Sequence, residues 1–355
     1  MTLLRGSRVA MCSVMGLFSY GTKTEEQVKT CPIQVVQPEQ KSGDILLSRK
    51  IHSVLRSTNE WEHSIINHLD RSNLDIRLYQ YETCPFCCKV RAFLDYYGFS
   101  YEAVEVNPVT RSQIKFSMDY KKVPIMKCGG FNVTESSLII SQLATFLQRK
   151  DRTFEEIQQM YPAVESADEK GKKVMTYPSK YFIMLEKITS TEDMARQKEE
   201  REWRMWVDDH FIHLISPNVY RTWNEALNTF KWFSLVGDWD RTFPAWERYL
   251  AIYMGAAAMY VISKRLKKRH NIDDERQALR DACKEWMEAI GKDRLFMGGD
   301  KPNLADLALY GAMTSFYGCE AFEEVKNGPA GEWWERMRKA VKNHEGRKIL
   351  ELRAA

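Results

Sequence analysis

Apolar and polar positions recur in a regular order between residues 74 and 150 of the chain. Asp75 to Tyr81 alternates as a half-buried strand does, whereas the segment after Pro85 places its apolar side chains on one helical face. Gly98 ends that helix, since glycine readily takes the left-handed conformation that follows a last helical turn. The predicted order is a strand at 75–81, a helix at 85–98, a strand at 101–106 and a helix from Pro108. Two strands follow at 123–128 and 131–134, around Gly129–Gly130, and then a helix at 135–148.

This order of elements predicts the topology of the first domain. Two strands joined through a helix pair in parallel, and a hairpin of two short strands completes the sheet. We therefore expect a thioredoxin- or glutaredoxin-like α/β domain over residues 74–150.

The flanking segments carry other patterns. Residues 1–45 are interpreted as leader and linker, and residues 46–73 as a lead-in helix because their apolar residues have helical spacing. Residues 151–200 are charged and interrupted, as in a connector. From residue 201 to residue 355 long helical periods dominate, so the second domain is predicted to be all-helical.

Composition limits the classes of protein to consider. The chain has 355 residues, 44% of them hydrophobic, which suits two folded domains rather than a disordered chain. Its net charge of +4 argues against an extended nucleic-acid surface, and we expect no nucleic-acid partner. Its 8 cysteines are too sparse for a disulfide scaffold and fit a reducing compartment.

The amino terminus has the composition of a targeting segment. No Asp or Glu precedes Glu25, and Arg5, Arg8 and Lys23 flank an apolar run from Val9 to Tyr20. This run is shorter than the ~20 residues that span a bilayer. It could be a secretory signal, a mitochondrial leader, a weak anchor or merely an untidy terminus.

Three cysteines lie between the first predicted strand and the first helix, at Cys84, Cys87 and Cys88. A zinc site needs four ligands, usually as two close pairs, and we predict no metal bound directly by protein residues. A structural disulfide between Cys84 and Cys87 would close too short a loop to stabilise much. Cys84 is expected at the helix start with Pro85 in the first helical position, where the helix dipole stabilises a thiolate. We predict Cys84 as an exposed attacking thiol, Cys87 as a resolving thiol or buried neighbour, and Cys88 as a small core residue.

Two further features lie at distances from Cys84 that suit a glutathione site. Pro124 begins a strand 40 residues later, where this fold holds a cis-proline whose flanking backbone pairs with a peptide-like thiol. Thr134 or Ser136 can cap the last helix of the domain, and a helix start attracts a carboxylate. An ordinary strand-start proline and an ordinary cap are the plainer interpretations.

With these residues in hand, the chain resembles the membrane-associated prostaglandin E synthase type 2 family, in which a glutaredoxin-like domain precedes a glutathione-transferase-like helical domain. The resemblance covers about residues 74–320. It is carried by the strings LYQYETCPFCCKVRAFLDYYGFSYEAVEVNPV, IKFSMDYKKVPI and TESSLIIS in the first domain, and by HLISPNVYRT, YMGAAAMYVISKRLKKRH and FMGGDKPNLADLALYG in the second.

The resemblance implies an isomerase that converts prostaglandin H2, a lipid endoperoxide, to prostaglandin E2 and that binds glutathione and haem. It implies a catalytic pocket lined by Tyr81, Cys84, Phe86 and Cys87. The glutathione-binding residues that it implies are Val123 with Pro124, through backbone pairing, and Glu135 with Ser136, at the α-amino and carboxylate groups. The family usually has Asp at position 135.

The resemblance also gives a meaning to the basic run at residues 263–270. Arg265 and Arg269 lie four residues apart, hence on one helical face, and two guanidinium groups there suit paired carboxylates. The family uses the matching arginines for haem propionates, although an acidic lipid or plain solvation would suit them too. A second polar set is implied to reach toward glutathione and haem, or else to serve capping and core hydrogen bonding: His210, His213 and Ser216.

Three functions stay open on these residues. In the first, a Cys84 thiolate attacks the lipid endoperoxide and Tyr81 holds the sulfur or the substrate. In the second, Cys84 and Cys87 carry out glutathione-dependent thiol–disulfide exchange. In the third, the protein carries haem or a thiol ligand without catalysis. A homodimer, peripheral membrane association and a location at the mitochondrion, the Golgi or the cytoplasm are further expectations.

Overall fold

The structure of the protein, a computed structural model, describes residues 55–56, 62–167, 171, 173–186 and 190–353. The segment predicted as leader and linker, residues 1–45, lies outside the described residues. Within the described ranges, no helix is both long enough and apolar enough to cross a bilayer.

Six strands form a mixed sheet in the first domain: β1 (Leu55–Arg56), β2 (Glu62–Ile65), β3 (Ile76–Gln80), β4 (Tyr101–Glu105), β5 (Ile125–Cys128) and β6 (Phe131–Thr134). Their order in the sheet is β1-β2-β4-β3-β5-β6. The central strands β3 and β4 are parallel, with Gln80 opposite Glu105, and the other neighbours are antiparallel. The predicted parallel pair and hairpin are confirmed, and with them the thioredoxin-like domain.

Two helices pack on this sheet, α1 (Pro85–Tyr97) and α2 (Ser136–Gln148). Gly98 ends α1 in the left-handed conformation, at φ 74°, as predicted. Because α1 begins directly after β3, its first turn lies at the carboxyl end of the central strands, and this position places the cysteines at the edge of the sheet.

The helix predicted from Pro108 is absent, and a loop with one 3-10 turn at Ser112–Ile114 replaces it. The Asn107 side-chain oxygen accepts hydrogen bonds from the two backbone N–H groups that follow Pro108, at 2.8 and 2.9 Å. These bonds start a turn as they would start a helix. Arg111 then takes the left-handed conformation at φ 51°, which stops helical growth.

The lead-in helix predicted over residues 46–73 is wrong in its described part, where β1 and β2 are strands. Strand β2 pairs with β4, with Glu62 opposite Val104. Most of the apolar residues with helical spacing lie outside the described residues, whereas the open edge of β4 selects an extended partner for the segment that reaches it.

The rest of the described chain is helical apart from one hairpin. The segment predicted as connector contains α3 (Phe154–Gln159), the hairpin of β7 (Val164–Ala167) and β8 (Lys173–Thr176), and the start of α4. The further helices are α4 (Thr191–Trp206), α5 (Ile212–Val219), α6 (Trp223–Val236), α7 (Trp239–Thr242), α8 (Ala245–Arg269), α9 (Glu275–Ile290), α10 (Leu304–Thr314), α11 (Glu323–Lys326), α12 (Gly331–Lys342) and α13 (Arg347–Arg353).

The two domains share one hydrophobic core, and α1 packs directly on α10. A Cβ atom at Gly311 of α10 would lie 2.5 Å from the Lys89 Cα, so this close approach requires glycine. Lys89 is 1% exposed and forms an ion pair with Asp208, which lies in a π-helical turn at Val207–Phe211 between α4 and α5. The start of α1 is therefore fixed against the helical domain.

Candidate active site

Cys84 is the residue around which the candidate active site is built. It is the N-cap of α1 with an extended backbone, and Pro85 takes the first helical position, as predicted. The Cys84 side chain makes no capping hydrogen bond. As the N-cap residue, Cys84 directly precedes first-turn N–H groups that have no partner within the helix, and a helix start with its dipole favours a thiolate.

Cys87 and Cys88 lie behind Cys84 in the core. Cys87 is fully buried, and burial raises the pKa of its thiol, although a hydrogen bond with the Cys84 side chain acts in the opposite direction. The neutral Cys87 thiol can therefore donate to a Cys84 thiolate. Cys88 is buried and accepts a hydrogen bond from Arg91 Nη2 at 3.1 Å, which fits its predicted place as a small core residue.

A cavity of about 160 Å³, which we name the cysteine cavity, lies between the first domain and helices α6 and α8. Cys84 is only 8% exposed, because these helices stand over it, which corrects the prediction of an exposed thiol. A substrate therefore has to enter the cavity to reach the sulfur. The lining includes Tyr81, Glu82, Cys84, Phe86, Glu105 and Val106 from the first domain, and Tyr220, Phe230, Trp239, Leu250, Met254, Ala258 and Met259 from the helical domain.

The structure brings the predicted catalytic residues together. Cys84, Cys87 and Val123 belong to one small hydrophobic cluster, and Tyr81 and Phe86 pack against it. The peptide bond between Val123 and the proline that follows it is cis, as predicted for Pro124. Val123, 39 positions after Cys84 in the sequence, therefore lies in the same cluster as that thiol.

The start of α2 differs in detail from the prediction. Neither Thr134 nor Ser136 caps it: the N-cap is Glu135, whose side chain makes no capping hydrogen bond. Glu135 has a φ of 77°, a region that non-glycine residues adopt rarely and most often at functional sites. Its carboxylate Oε1 lies 3.3 Å from the Nζ of Lys180, a connector residue that the sequence did not single out. An acidic and a basic group thus stand beside the helix start.

Known proteins share this arrangement of sequence. The family model described as the N-terminal domain of glutathione S-transferase matches residues 78–145. Prostaglandin E synthase 2 of Danio rerio is 45% identical over 284 residues, which cover 77% of this chain and 74% of that protein. The Mus musculus protein of the same name is 46% identical over 279 residues, covering 76% and 71%. The chain belongs to the prostaglandin E synthase 2 family.

The expected resemblance and the fold class, a thioredoxin-like domain followed by a helical domain, are thereby confirmed for this member of the prostaglandin E synthase 2 family. Among solved structures, the β-etherase LigF from Sphingobium sp. strain SYK-6 is similar with a TM-score of 0.44 and 17% identity. The match covers 77% of this chain and 99% of that one.

The residues implied for haem in the prostaglandin E synthase 2 family lie apart from the cysteine cavity. We name them the histidine–arginine region: His210, His213, Ser216, Arg265 and Arg269. None of the five is among the described residues that line the cavity. Ser216 is buried, His213 is partly buried, and His210 and both arginines are exposed, the arginines on the last two turns of α8. The sequence spacing of these residues therefore did not predict contact with the cavity that holds the Cys84 thiol.

Two imidazoles meet at the centre of the histidine–arginine region. The rings of His213 and His270 stack with centroids 4.3 Å apart. Burial, followed by the nearby His270, lowers the pKa of His213 to about 4, and burial and Arg269 lower the pKa of His270. The Nε2 atoms of both rings are buried and have no hydrogen-bond partner within the described residues. Two neutral rings with unused Nε2 atoms beside an arginine suit an added carboxylate.

Three lining residues of the cysteine cavity were missed by sequence reasoning. Tyr220 follows α5 and is 3% exposed, and burial raises the pKa of its phenol, so that it stays a hydrogen-bond donor. No local sequence pattern marks it. Glu82 follows β3 and Glu105 ends β4. The predicted parallel pairing of these strands was the signal that could have placed the two carboxylates side by side.

Proposed function

We propose that this protein isomerises the endoperoxide prostaglandin H2 to the hydroxyketone prostaglandin E2 by means of the Cys84 thiolate, with glutathione bound beside it. The observation that carries the proposal is a thiol at a helix start inside an apolar cavity. An endoperoxide is an apolar lipid group with a weak O–O bond, and such a group needs a nucleophile in apolar surroundings. The two relatives above are named for this activity.

The chemistry needs no net oxidant or reductant. The Cys84 thiolate attacks one oxygen of the O–O bond, an S–O bond forms, and the other oxygen leaves as an alkoxide that takes a proton. Loss of the proton from the carbon that carries the first oxygen then forms the C=O bond and breaks the S–O bond. The thiolate is restored, and the product is an isomer of the substrate.

Four side chains position this reaction. The Cys87 thiol, which is in hydrogen-bond contact with the Cys84 side chain, is the donor available to a Cys84 thiolate. The phenols of Tyr81 and Tyr220 line the same cavity and are donors for the peroxide oxygens. Phe86 and the apolar faces of α6 and α8 seat the lipid chains.

Glutathione binding is proposed for the groove along Val123 and the start of α2. The Val123 backbone pairs with the peptide-like part of the ligand, as expected for the position before a cis-proline. Glu135 meets the α-amino group, while Ser136, buried at the first helical position, and Lys180 meet the α-carboxylate. The cysteine of the ligand then lies toward Cys84.

Haem binding is proposed for the histidine–arginine region, through the propionate groups. We propose that Arg265 and Arg269 hold the propionates, supported by the unused Nε2 atoms of His213 and His270. Haem would supply iron–peroxide chemistry when bound, and the isomerase steps above do not depend on it.

Peripheral membrane association is proposed through the exposed face of α8. Trp246, Tyr249 and Tyr253 are 69%, 52% and 49% exposed there, and the same helix ends in a basic run. An aromatic and apolar helix face with lysines and arginines suits an anionic bilayer. Flotation with phosphatidylserine vesicles, but not with phosphatidylcholine vesicles, should be lost in Trp246→Ser with Tyr253→Ser. A homodimer and the cellular compartment stay predictions, for light scattering and microscopy of a tagged protein.

Thiol–disulfide exchange is the second candidate, favoured by the contact between the Cys84 and Cys87 side chains. Burial raises the pKa of Cys87 and so reduces its thiolate fraction, which disfavours it as a resolving thiol. A turnover assay with glutathione and a small disulfide tests this candidate, and Cys87→Ser should abolish such turnover if it is right.

The deciding experiment compares wild type, Cys84→Ser and Cys128→Ser on prostaglandin H2, in the haem-free form with glutathione. We expect prostaglandin E2 formation to fall at least ~10³-fold in Cys84→Ser, since a hydroxyl at this position is a far poorer nucleophile. Cys128 is a buried thiol away from the cavity and serves as the matched control. Unchanged turnover in Cys84→Ser would refute the proposed function.

A further inference from the structure

Two carboxylates line the cysteine cavity and are held together by one amide. The Gln80 Nε2 donates to Glu105 Oε1 at 2.5 Å and to Glu82 Oε2 at 2.9 Å, while the Glu82 backbone N–H donates to Glu105 Oε2 at 3.1 Å. Arg91, which is 1% exposed, donates to the Gln80 oxygen from the other side. The parallel register of β3 and β4 fixes this arrangement, because it places Gln80 opposite Glu105.

The positive charge that faces the two carboxylates is not enough to keep both of them ionised. Arg91 is the cation that faces it, 3.4 Å from Glu82 Oε1, and it also donates to the Glu82 carbonyl and to Cys88 Sγ. From α8, the buried Glu247 accepts a hydrogen bond from the side chain of Asn107, two residues after Glu105 in the chain. Of the described residues that line the cavity, Glu82 and Glu105 alone carry ionisable acids or bases of ordinary pKa below 8.

Burial, followed by the charge of Glu82, raises the pKa of Glu105 to about 8, against the opposing effects of Arg91 and the hydrogen bonds from Gln80 and Glu82. Two carboxylates that interact in this way lose their protons as a pair. At neutral pH the pair therefore keeps one proton between its two members.

The proposed isomerisation needs such a proton. One group must protonate the alkoxide that forms when the O–O bond breaks, and one group must then remove the proton from the ring carbon. Cys84 is bound to oxygen during both events. Tyr220 holds its proton too firmly to give and take it, because burial raises the pKa of the phenol.

We propose that Glu105, sharing one proton with Glu82, gives that proton to the alkoxide and then takes the ring C–H proton. This inference rests on the proposed function. In the first step the Cys84 S–O bond forms, the O–O bond breaks, and the proton passes from Glu105 to the leaving oxygen. In the second step the Glu105 carboxylate removes the C–H proton, the C–H electrons form the C=O bond, and the S–O electrons return to sulfur.

The cycle is balanced, since thiolate and carboxylic acid are both restored and the substrate has only rearranged. It also gives a reason for a buried acid pair in an otherwise apolar cavity. An apolar wall would hold the lipid equally well, so lipid binding does not explain the acids. A Glu105 carboxylic acid that is neutral before the reaction costs little to bury and can still transfer protons.

The test is Glu105→Gln in the full-length, haem-free protein with glutathione. Glutamine keeps the volume, but its single carbonyl oxygen can accept only one of the two hydrogen bonds that Gln80 and the Glu82 backbone donate to separate oxygens of Glu105. We expect kcat on prostaglandin H2 to fall about 10²-fold or more, the range of general acid–base catalysis, with the Kd for glutathione unchanged. Glu102→Gln is the matched control, since Glu102 lies on the same strand, pairs with Arg77 and does not line the cavity.

Two readouts separate proton transfer from a merely structural role. In wild type, kcat should fall above pH 8 as the pair loses its shared proton, and this alkaline limb should be absent in Glu105→Gln. With substrate deuterated at the carbon that becomes the ketone, the isotope effect on kcat should rise in Glu105→Gln, because C–H removal becomes the slowest step.

The outcomes for the two proposals are distinguishable. Wild-type turnover that is lost in Cys84→Ser but kept in Glu105→Gln, with an unchanged pH profile, overturns the proton-transfer role alone. Turnover that is unchanged in Cys84→Ser overturns the proposed function itself. A fall in Glu105→Gln that is accompanied by a lower unfolding temperature and an unchanged isotope effect would mean a structural role, and would likewise overturn the inference.

Discussion

The cysteine cavity and the histidine–arginine region are both predicted from sequence, yet their residues come together in different ways. The thiol, its neighbours and the cis-proline converge on one helix start, and Cys84, Cys87 and Val123 share one hydrophobic cluster. The histidine–arginine region draws on two helices, and its contact between them is the stacking of His213 on His270, the residue that follows α8. The local sequence of a motif at one helix start fixes the positions of its side chains. Residue spacing along separate helices does not fix how those helices meet.

One buried ion pair connects the two regions and gives the largest expected effect. Lys89 of α1 pairs with Asp208 in the π-helical turn that precedes His213, and Asp208 also accepts from Ser137 at 2.6 Å and from Tyr181 at 2.8 Å. Asp208→Ala leaves Lys89 buried without its partner. We expect the free energy of unfolding to fall by about 3–5 kcal/mol, measured by urea denaturation.

Asp209→Ala is the control for this measurement, because Asp209 is exposed and adjacent in the chain. A loss of less than ~1 kcal/mol is expected there. Equal losses in the two variants would mean that the pair does not hold α1 against the helical domain, and that the two regions are structurally independent.

The next effect tests whether the cysteine cavity is the place where the lipid binds. Ala258 of α8 lines the cavity, and a tryptophan there would fill much of its 160 Å³. We expect kcat/KM for prostaglandin H2 to fall about 10²-fold, or ~3 kcal/mol, in Ala258→Trp, with glutathione affinity unchanged. Val261→Trp places the same indole on the exposed side of α8 and should keep wild-type activity. Equal activity in both variants would show that the lipid does not bind in the cysteine cavity.

Sequence predicted the first domain well because its signals are local. The CPFC string, the Pro85 position and the Gly98 stop each act within one helix, and the structure has them as predicted. The helix from Pro108 failed although its starting signal is present: the Asn107 side chain does begin a turn, but the left-handed Arg111 ends it. The lead-in helix failed in its described part, where strand pairing with β4 outweighs the spacing of apolar residues.

The candidate site was only partly predictable for the same reason. Cys84 and Pro124 have signatures that depend on neighbours in the chain, whereas Tyr220, which follows α5, reaches the cavity only through tertiary packing. Glu82 and Glu105 are separated by 23 residues and meet through a parallel register and a shared Gln80. The expectation that Cys84 is exposed was wrong, because helices from the other domain cover it.

A smaller effect separates the histidine–arginine region from the cavity by function. In Arg265→Ala with Arg269→Ala, we expect the Kd for haem to rise at least ~10-fold, since hydrogen bonds to charged groups contribute about 1.5–3 kcal/mol. Titration of the haem absorbance band measures this. Haem-free isomerase activity should stay within twofold of wild type, and Lys268→Ala at the same helix end should leave the haem Kd unchanged. Unchanged haem affinity in the double variant would make the basic run an ordinary solvated helix end.

The smallest effect concerns the stacked imidazoles. A histidine in the unfolded chain takes a proton near pH 6.5, whereas burial and His270 lower the pKa of folded His213 to about 4. The unfolded state therefore binds more protons between these values, and the stability that this histidine contributes is present above pH 6.5 and lost as the pH falls toward 4. Over that range wild type should lose about 1 kcal/mol more unfolding free energy than His213→Gln, after allowance for its partial exposure. The exposed His68→Gln should follow wild type. If His213→Gln follows wild type as well, the pair is solvated, and the contrast with the enclosed cysteine cavity becomes sharper still.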